Sequence, residues 1–397
     1  MIENTLAGYR VLDLTQNVAG PFCTQVLGDF GAEVIKIERP GAGDDTRAWR
    51  PPETGGKSAT FLALNRNKKS ICLDLDSPEG IAVLHRLTAS ADVVIHSLKP
   101  DSAESRGFGY EDLKAHKKDL IYCAISAFGE KGPLREMPGY DPLMQAFSGI
   151  MSVTGNMNDD PVRVSVSLID MGTGMWAALG IISALLNRSK TGEGAEVRAS
   201  LLDTGLSWMT IIVAGYFATG NLPKKMGSAM AMTAPYELFK TSDGHVFIAA
   251  GNDRLFVKVC DALGCPELPL DERFTRNERR VVERVLLHEL MERRTSAMTT
   301  QEAVAALRKS GAPCSELNDV SQAFSHEQVL ANGMVTSLPV DGAPGHRVIA
   351  TPLSMNGKRS AISMAPPTLG ADTEQVLADH GYSSQEVAEL RRSSAIA

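Results

Sequence analysis

The chain has 397 residues, 43% of them hydrophobic and 22% charged, which suits a globular protein with two domains and sizeable cores. Its 40 basic and 47 acidic residues leave a formal net charge of −7, so nothing suggests a nucleic-acid footprint. Six cysteines lie scattered without a Cys-x-x-Cys pair, a disulfide framework or a His-rich metal spacing, which points to reduced thiols in the cytosol. The longest apolar runs, Met175 to Leu186 and Leu206 to Ala218, are shorter than a membrane span and read as core helices. The N-terminus lacks the apolar core of a secretion signal.

Val11 to Leu14 reads as a short apolar strand. Ala19-Gly20-Pro21 opens a helix to about Phe30, since Pro is compatible with a first turn. Gly31 ends it, and Val34 to Ile37 is a second strand. This β-α-β unit predicts a parallel sheet. It lacks Gly-x-Gly-x-x-Gly, which weakens a nicotinamide-cofactor reading. Glu38-Arg39 follows the second strand. An Arg at the carboxyl end of a parallel strand suits a phosphate, and equally suits a surface ion pair. Residues 39–47 form a polar, turn-rich loop ending at Arg47. The basic run Asn65-Arg66-Asn67-Lys68-Lys69-Ser70 leads into a strand from Ile71 to Leu75; it suits phosphates or a solvated face.

Ser77-Pro78-Glu79 is a helix start. Asp92 to His96 and Leu120 to Ala127 continue the alternation of strands and helices, as in a doubly wound α/β domain. Pro138 to Pro142 forms a turn before a helix from Leu143 to Ile150. It can present the Tyr140 hydroxyl to a cleft, or Tyr140 packs with its hydroxyl satisfied. Arg163 to Ile169 alternates polar and apolar residues, which predicts a half-buried strand. Met175, Leu179, Ile182 and Leu186 recur at helical spacing, so a buried helix follows. Asp170 lies at this junction, before Gly172 and Gly174. It reads either as a helix cap or as a carboxylate nucleophile that forms a covalent acyl intermediate.

Ala199 to Thr219 predicts another long apolar helix. Gly220 to Thr233 is a Met-rich connection. A second unit begins near Pro235, with a strand-turn-strand pattern in 236–240 and 245–250 around Asp243-Gly244. Helices fill much of 253–310. Extended pieces at 336–339 and 347–352 return toward the first domain, and 373–378 and 384–392 are terminal helices. This pattern supports two domains.

Several segments together resemble the class III CoA-transferases, the family of formyl-CoA:oxalate transferase and carnitine CoA-transferase. They are Val11 to Leu14 with Ala19-Gly20-Pro21, Val34 to Pro40, Gly43-Asp44 with Arg47, Asn65 to Leu73, Gly139-Tyr140-Asp141, and Asp170. The resemblance spans nearly the whole chain in order and spacing. It is closest to the succinyl-CoA:dicarboxylate branch, such as succinyl-CoA:glutarate transferase, through 43–47, 65–71, Gly251-Asn252 with Phe256, and Gln328-Val329-Leu330 with Asn332-Gly333.

The resemblance implies a Rossmann-like large domain with a parallel sheet, formed by 1–225 and completed by a return segment at 331–397, a smaller α+β domain at 226–330, and an interlocked, ring-like homodimer. It implies a CoA-transferase in which Asp170 attacks an acyl-CoA and passes through an anhydride and an aspartyl-CoA thioester. Backbone N–H groups around the glycines after Asp170 would hold the oxyanion. CoA thioesters are substrates, and no tightly bound cofactor, metal, nucleic acid or membrane is implied. The family's CoA-binding positions match Val18, Ala19, Arg39, Leu73, Asp74, Ser97, Leu98 and Tyr140. The formyl-CoA enzyme has Gln at the position of Val18 and Arg at that of Ser105, for which Arg106 is the substitute. Its glycine-rich lid is absent, and Gly227-Ser228-Ala229 is the nearest counterpart. Arg47 is expected to meet the second carboxylate of a dicarboxylic acceptor, or to pair with Asp44 or Asp45. Two alternatives remain. An α-methylacyl-CoA racemase has His where this chain has Tyr140, which titrates too high for a base near neutrality. A non-catalytic acyl-CoA binding protein is the other.

Overall fold

The computed structural model describes residues 2–397, and its contacts divide the chain into two units. One comprises residues up to Ile150, Val164–Ile212 and Gln328–Ala397; the other comprises Met151–Arg163 and Val213–Glu327. The large unit therefore stops before the expected boundary at 225, and the segment 151–163 groups with the small unit.

The first unit is built on six parallel strands: β1 (Arg10–Leu14), β2 (Glu33–Glu38), β3 (Lys68–Cys72), β4 (Val93–His96), β5 (Ile121–Ser126) and β6 (Ala195–Ser200). Their spatial order is β3-β2-β1-β4-β5-β6. This is the doubly wound order of Rossmann-type sheets, and strand order reverses between β1 and β4. Helix α1 (Ala19–Asp29) carries the chain from β1 to β2. Helix α2 (Pro78–Thr88) begins as its sequence predicts, with Ser77 Oγ accepting the Gly80 N–H at 3.0 Å. The core collects Leu12, Ile35, Val94 and Tyr122 from the sheet, Leu84 and Leu87 from α2, and Val376, Leu377 and Val387 from the chain end. The return segment contributes an antiparallel hairpin, Val335–Val340 with Ala343–Ile349.

Two expectations fail around Asp170. Residues 161–167 form no strand. After helix α3 (Asp141–Phe147), helix α4 runs unbroken from Leu168 to Thr191, so Asp170 sits in its first turn. The alternation in 163–169 reflects a non-strand approach held by side chains: Gln145 Oε1 accepts the Val164 N–H at 2.8 Å and its amide donates to the Val164 carbonyl at 3.1 Å. The predicted helix 199–219 is three elements, since 195–200 is the edge strand β6, followed by α5 (Leu201–Trp208) and α6 (Thr210–Thr219).

Helix α4 also corrects the reading of apolar runs, because its 24 residues are long and apolar enough to cross a membrane. One face packs into the unit through Ile169, Ala177, Ala178 and Ile181. At Gly174 a Cβ would lie 2.4 Å from the Ala19 carbonyl oxygen, so only glycine lets α1 come this close. The other face leaves Met171, Met175, Leu179 and Leu186 exposed.

The second unit has a three-stranded antiparallel sheet: β7 (Tyr236–Lys240), β8 (His245–Ala249) and β9 (Cys314–Glu316), in the order β9-β8-β7. Its own core includes Phe239, Val246, Phe256, Phe274 and Leu287.

Candidate active site

The site forms at the carboxyl ends of β1, β2 and β4, where strand order reverses and open α/β sheets bind ligands. Buried charges hold its loops. The Asp13 and Lys68 side chains are fully buried and paired at 3.1 Å. Burial alone would raise Asp13, but Lys68 and Lys36 outweigh it and hold the carboxyl well below its ordinary value. Burial pulls Lys68 down to about 8. Lys36, also fully buried, donates to the Thr15 carbonyl at 2.9 Å and pairs with Asp44 at 2.8 Å. Asp44 in turn accepts the N–H groups of Asn17 at 3.2 Å and Thr46 at 2.9 Å. Asn17 has φ 67°, a left-handed conformation that Asn tolerates better than most residues. The Gln16 N–H donates to Ser97 Oγ at 3.2 Å, tying the loop after β1 to the loop after β4. His96 Nδ1 accepts the Leu98 N–H at 3.2 Å. Burial first, and then the Arg198 charge, bring His96 down to about 4, so its ring is neutral and keeps that acceptor.

These loops frame two cavities. One, of about 220 Å³, is lined by Arg39, Leu73, Asp74, Leu98 and Arg106 among others. The second, of about 240 Å³, is lined by Val18, Ala19, Ser97, Leu98, Lys99, Arg135, Tyr140 and Asp170 among others. Every residue expected to contact CoA thus lines one cavity or the other. Arg106 lines the first cavity, whereas Ser105 does not and turns its hydroxyl to the Ser102 carbonyl. The two arginines of the first cavity are exposed and carry exchangeable partners: Arg39 with Asp45 at 2.5 Å, and Arg106 with Asp76 at 3.2 Å.

Asp170 is the carboxylate of the second cavity. Its backbone N–H donates to Asp141 Oδ2 at 3.1 Å, and the Ile169 N–H donates to the same oxygen at 2.7 Å. Asp141 is buried, and its other oxygen accepts from the Gln145 amide at 2.6 Å. Asp141 therefore caps the start of α4 from a distance and fixes the Asp170 backbone. Burial, and next the Asp141 charge, push the Asp170 carboxyl up to about 7. Such a group passes between acid and carboxylate near neutrality. Sequence reading assigned no role to Asp141 and did not single out Gln16. Gly139-Tyr140-Asp141 stood out as a motif, but the N–H groups that Asp141 meets lie 28 and 29 residues further on.

Four expected groups lie elsewhere than in the lining of these cavities. Gly172 and Gly174 lie inside α4, where their N–H groups close the helix rather than face the cavity. Arg47 spends its guanidinium on Glu38, with Nε and Nη2 at 2.7 Å from its two oxygens, and on the Pro367 carbonyl. It also lies over the Phe61 ring, and it lines neither cavity. Its partner is thus Glu38 rather than Asp44 or Asp45, because Glu38 is only 1% exposed and needs a cation. The basic run is not a phosphate loop: Arg66 pairs with buried Asp29, Lys68 with Asp13, and Lys69 with Glu33. Gly227 lies in the second unit with φ 60°, donates its N–H to the Gly155 carbonyl at 3.0 Å, and lines neither cavity.

Comparison with known proteins agrees with this geometry. The pattern of CoA-transferase family III matches residues 6–373. Succinyl-CoA:glutarate CoA-transferase of Homo sapiens is 37% identical over 97% of this chain and 88% of its own length. Succinate--glutarate CoA-transferase of Agrobacterium fabrum is 35% identical over 94% and 95%. A crystal structure of a CAIB/BAIF family protein from Brucella suis superposes with a TM-score of 0.84 at 37% identity, covering 95% of this chain and 99% of that one. The chain belongs to CoA-transferase family III.

Proposed function

We propose that this enzyme moves CoA from succinyl-CoA, or a similar acyl-CoA, to a small dicarboxylic acid, with Asp170 as the nucleophile. The observation that carries this reading is a carboxyl brought to about 7 in the lining of a cavity whose neighbour is lined by Arg39 and Arg106. The names of the human and Agrobacterium relatives support the choice of donor and acceptor.

An Asp170 oxygen attacks the donor thioester carbonyl, the C–S bond breaks, and CoA thiolate leaves. The thiolate then attacks the aspartyl carbonyl of the mixed anhydride, releases the donor acid and leaves an aspartyl-CoA thioester. The acceptor carboxylate attacks this thioester and expels the thiolate again. The thiolate finally attacks the acceptor's acyl carbonyl, and the Asp170 carboxylate is regenerated. One slow exchange is thereby divided into faster covalent steps. Arg39 and Arg106 hold the phosphates by exchanging their aspartate partners for them. The acceptor's distal carboxylate needs a cation, because an unpaired buried charge is costly. Lys99 and Arg135, not Arg47, are the cations in the lining of the Asp170 cavity. No histidine is among the described lining residues, which favours acyl transfer over proton exchange at the α-carbon.

The enzyme acts as an interlocked homodimer in this reading, and the exposed Met171, Met175, Leu179 and Leu186 face of α4 supports burial against a second copy. A reducing compartment such as the cytosol suits its six unpaired thiols. Hydroxylamine added with succinyl-CoA is expected to convert Asp170 to a hydroxamate, read by peptide mass. Glutarate, succinate, itaconate and citramalate are expected to accept CoA where butyrate and carnitine do not. An unlabelled Asp170 during turnover overturns the nucleophile, and equal rates with monocarboxylates overturn the acceptor class.

A further inference from the structure

Gln16 joins the two cavities, because the residue is in the lining of both. Its backbone is fixed on one side by the bond from its N–H to Ser97 Oγ. On the other side the next residue, Asn17, is held by Asp44. Both anchors fix the backbone at Gln16. Yet its carbonyl oxygen Oε1 is shielded from solvent and has no hydrogen-bond partner among the described residues. A buried acceptor left unmatched is uncommon and unfavourable, and it needs an explanation. Nothing in the loop requires this side chain: Asp13, Lys36 and Asp44 already organise the turn through Thr15 and Asn17.

The chemistry of the ligand supplies a partner. If the phosphates lie with Arg39 and Arg106 and the thioester reaches Asp170, the arm between them crosses Gln16. That pantetheine arm carries two secondary amides, each with one N–H donor. We propose that Gln16 Oε1 accepts an amide N–H of the pantetheine arm and so positions the thioester for Asp170. The inference rests on the functional reading above. In it, Gln16 is a positioning residue: the unmatched oxygen is tolerated in the free enzyme and satisfied when an acyl-CoA binds. The arm is recognised at the junction, and the phosphates are recognised separately.

The test replaces Gln16 by Met, which keeps the length of the side chain and removes both polar ends. Calorimetry compares CoA with 3′,5′-ADP, which carries the nucleotide end and lacks the arm. Gln16→Met is expected to weaken CoA about five- to tenfold, the effect of one neutral hydrogen bond, and to leave 3′,5′-ADP unchanged. KM for succinyl-CoA rises accordingly while KM for glutarate does not. The melting temperature of the unliganded variant stays the same or rises, since an unmatched acceptor has been removed, whereas the stabilisation by added CoA shrinks. Unchanged CoA affinity overturns the proposal. So does an equal loss for CoA and 3′,5′-ADP, or a lower melting temperature without ligand, because each marks Gln16 as loop structure. Binding is measured without turnover, so an enzyme that binds CoA through Gln16 but transfers nothing overturns the functional reading alone.

Discussion

Replacing Asp141 by Asn separates the two things this residue does for Asp170. The first is electrostatic. Asp170 stands at about 7 instead of its ordinary 3.8, with burial as the leading cause and the Asp141 charge next. A like-charged neighbour disfavours the ionised form and so raises a carboxyl's pKa. Removing that charge is expected to bring Asp170 part of the way down and not to 3.8, because burial remains. The second is geometric. Asparagine's carbonyl oxygen can still accept the N–H groups of Ile169 and Asp170, but its amide nitrogen then faces the Gln145 amide that now donates at 2.6 Å. Losing this charge-assisted bond costs about 1.5–3 kcal/mol. If all of it reaches the transition state, the plateau rate falls about 10- to 100-fold.

The signs are opposite for activity and stability. In the proposed mechanism transfer needs the carboxylate, so kcat/KM is expected above about pH 7 and to be lost as pH falls through it. The folded enzyme holds a proton that the unfolded chain releases, so this group's contribution to stability declines as pH rises from its ordinary range through about 7. The assay follows CoA transfer from succinyl-CoA to glutarate between about pH 5 and about pH 9 in both proteins. A wild-type profile without a step near 7, or an Asp141→Asn profile with its midpoint unmoved, refutes the reasoning.

Three further outcomes follow from named contacts. Arg39→Ala is expected to weaken CoA by about 1–2 kcal/mol by calorimetry, modest because the side chain is 56% exposed, and to reduce the salt dependence of binding; unaltered affinity contradicts the contact. Arg47→Ala is expected to lower stability in urea by about 3–5 kcal/mol, since it strands the buried Glu38 carboxylate, while the preference for dicarboxylates persists in the folded fraction; a stable variant that loses that preference would return Arg47 to the substrate. Light scattering is expected to give twice the 42.6 kDa chain mass, and an active monomer would contradict the interlocked assembly.

Much of this architecture is legible in sequence because its signals are local. Period-two and period-3.6 patterns, Ser77 before Pro78, and the β-α-β alternation each depend on neighbours a few residues apart. Residues that line the two cavities, Asp170 among them, were singled out through the resemblance, since motifs keep their order along a chain. The exceptions share one cause. The alternation in 163–169 looks like a strand, but no sheet position is available there, and Gln145 and Asp141 take up its backbone groups instead. Arg47 and the 65–70 run look like ligand cations because a sequence does not reveal distant counter-charges; Glu38, Asp29 and Asp13 are brought to them by the fold. Periodicity and the alternation of elements thus determined that the first domain is built on a parallel α/β sheet. Only the tertiary structure decided which charges are spent on each other, that Asp141 governs Asp170, and that Gln16 stands unmatched between the two cavities. Coulomb energy and desolvation depend on distance in space, and the chain order does not contain that distance.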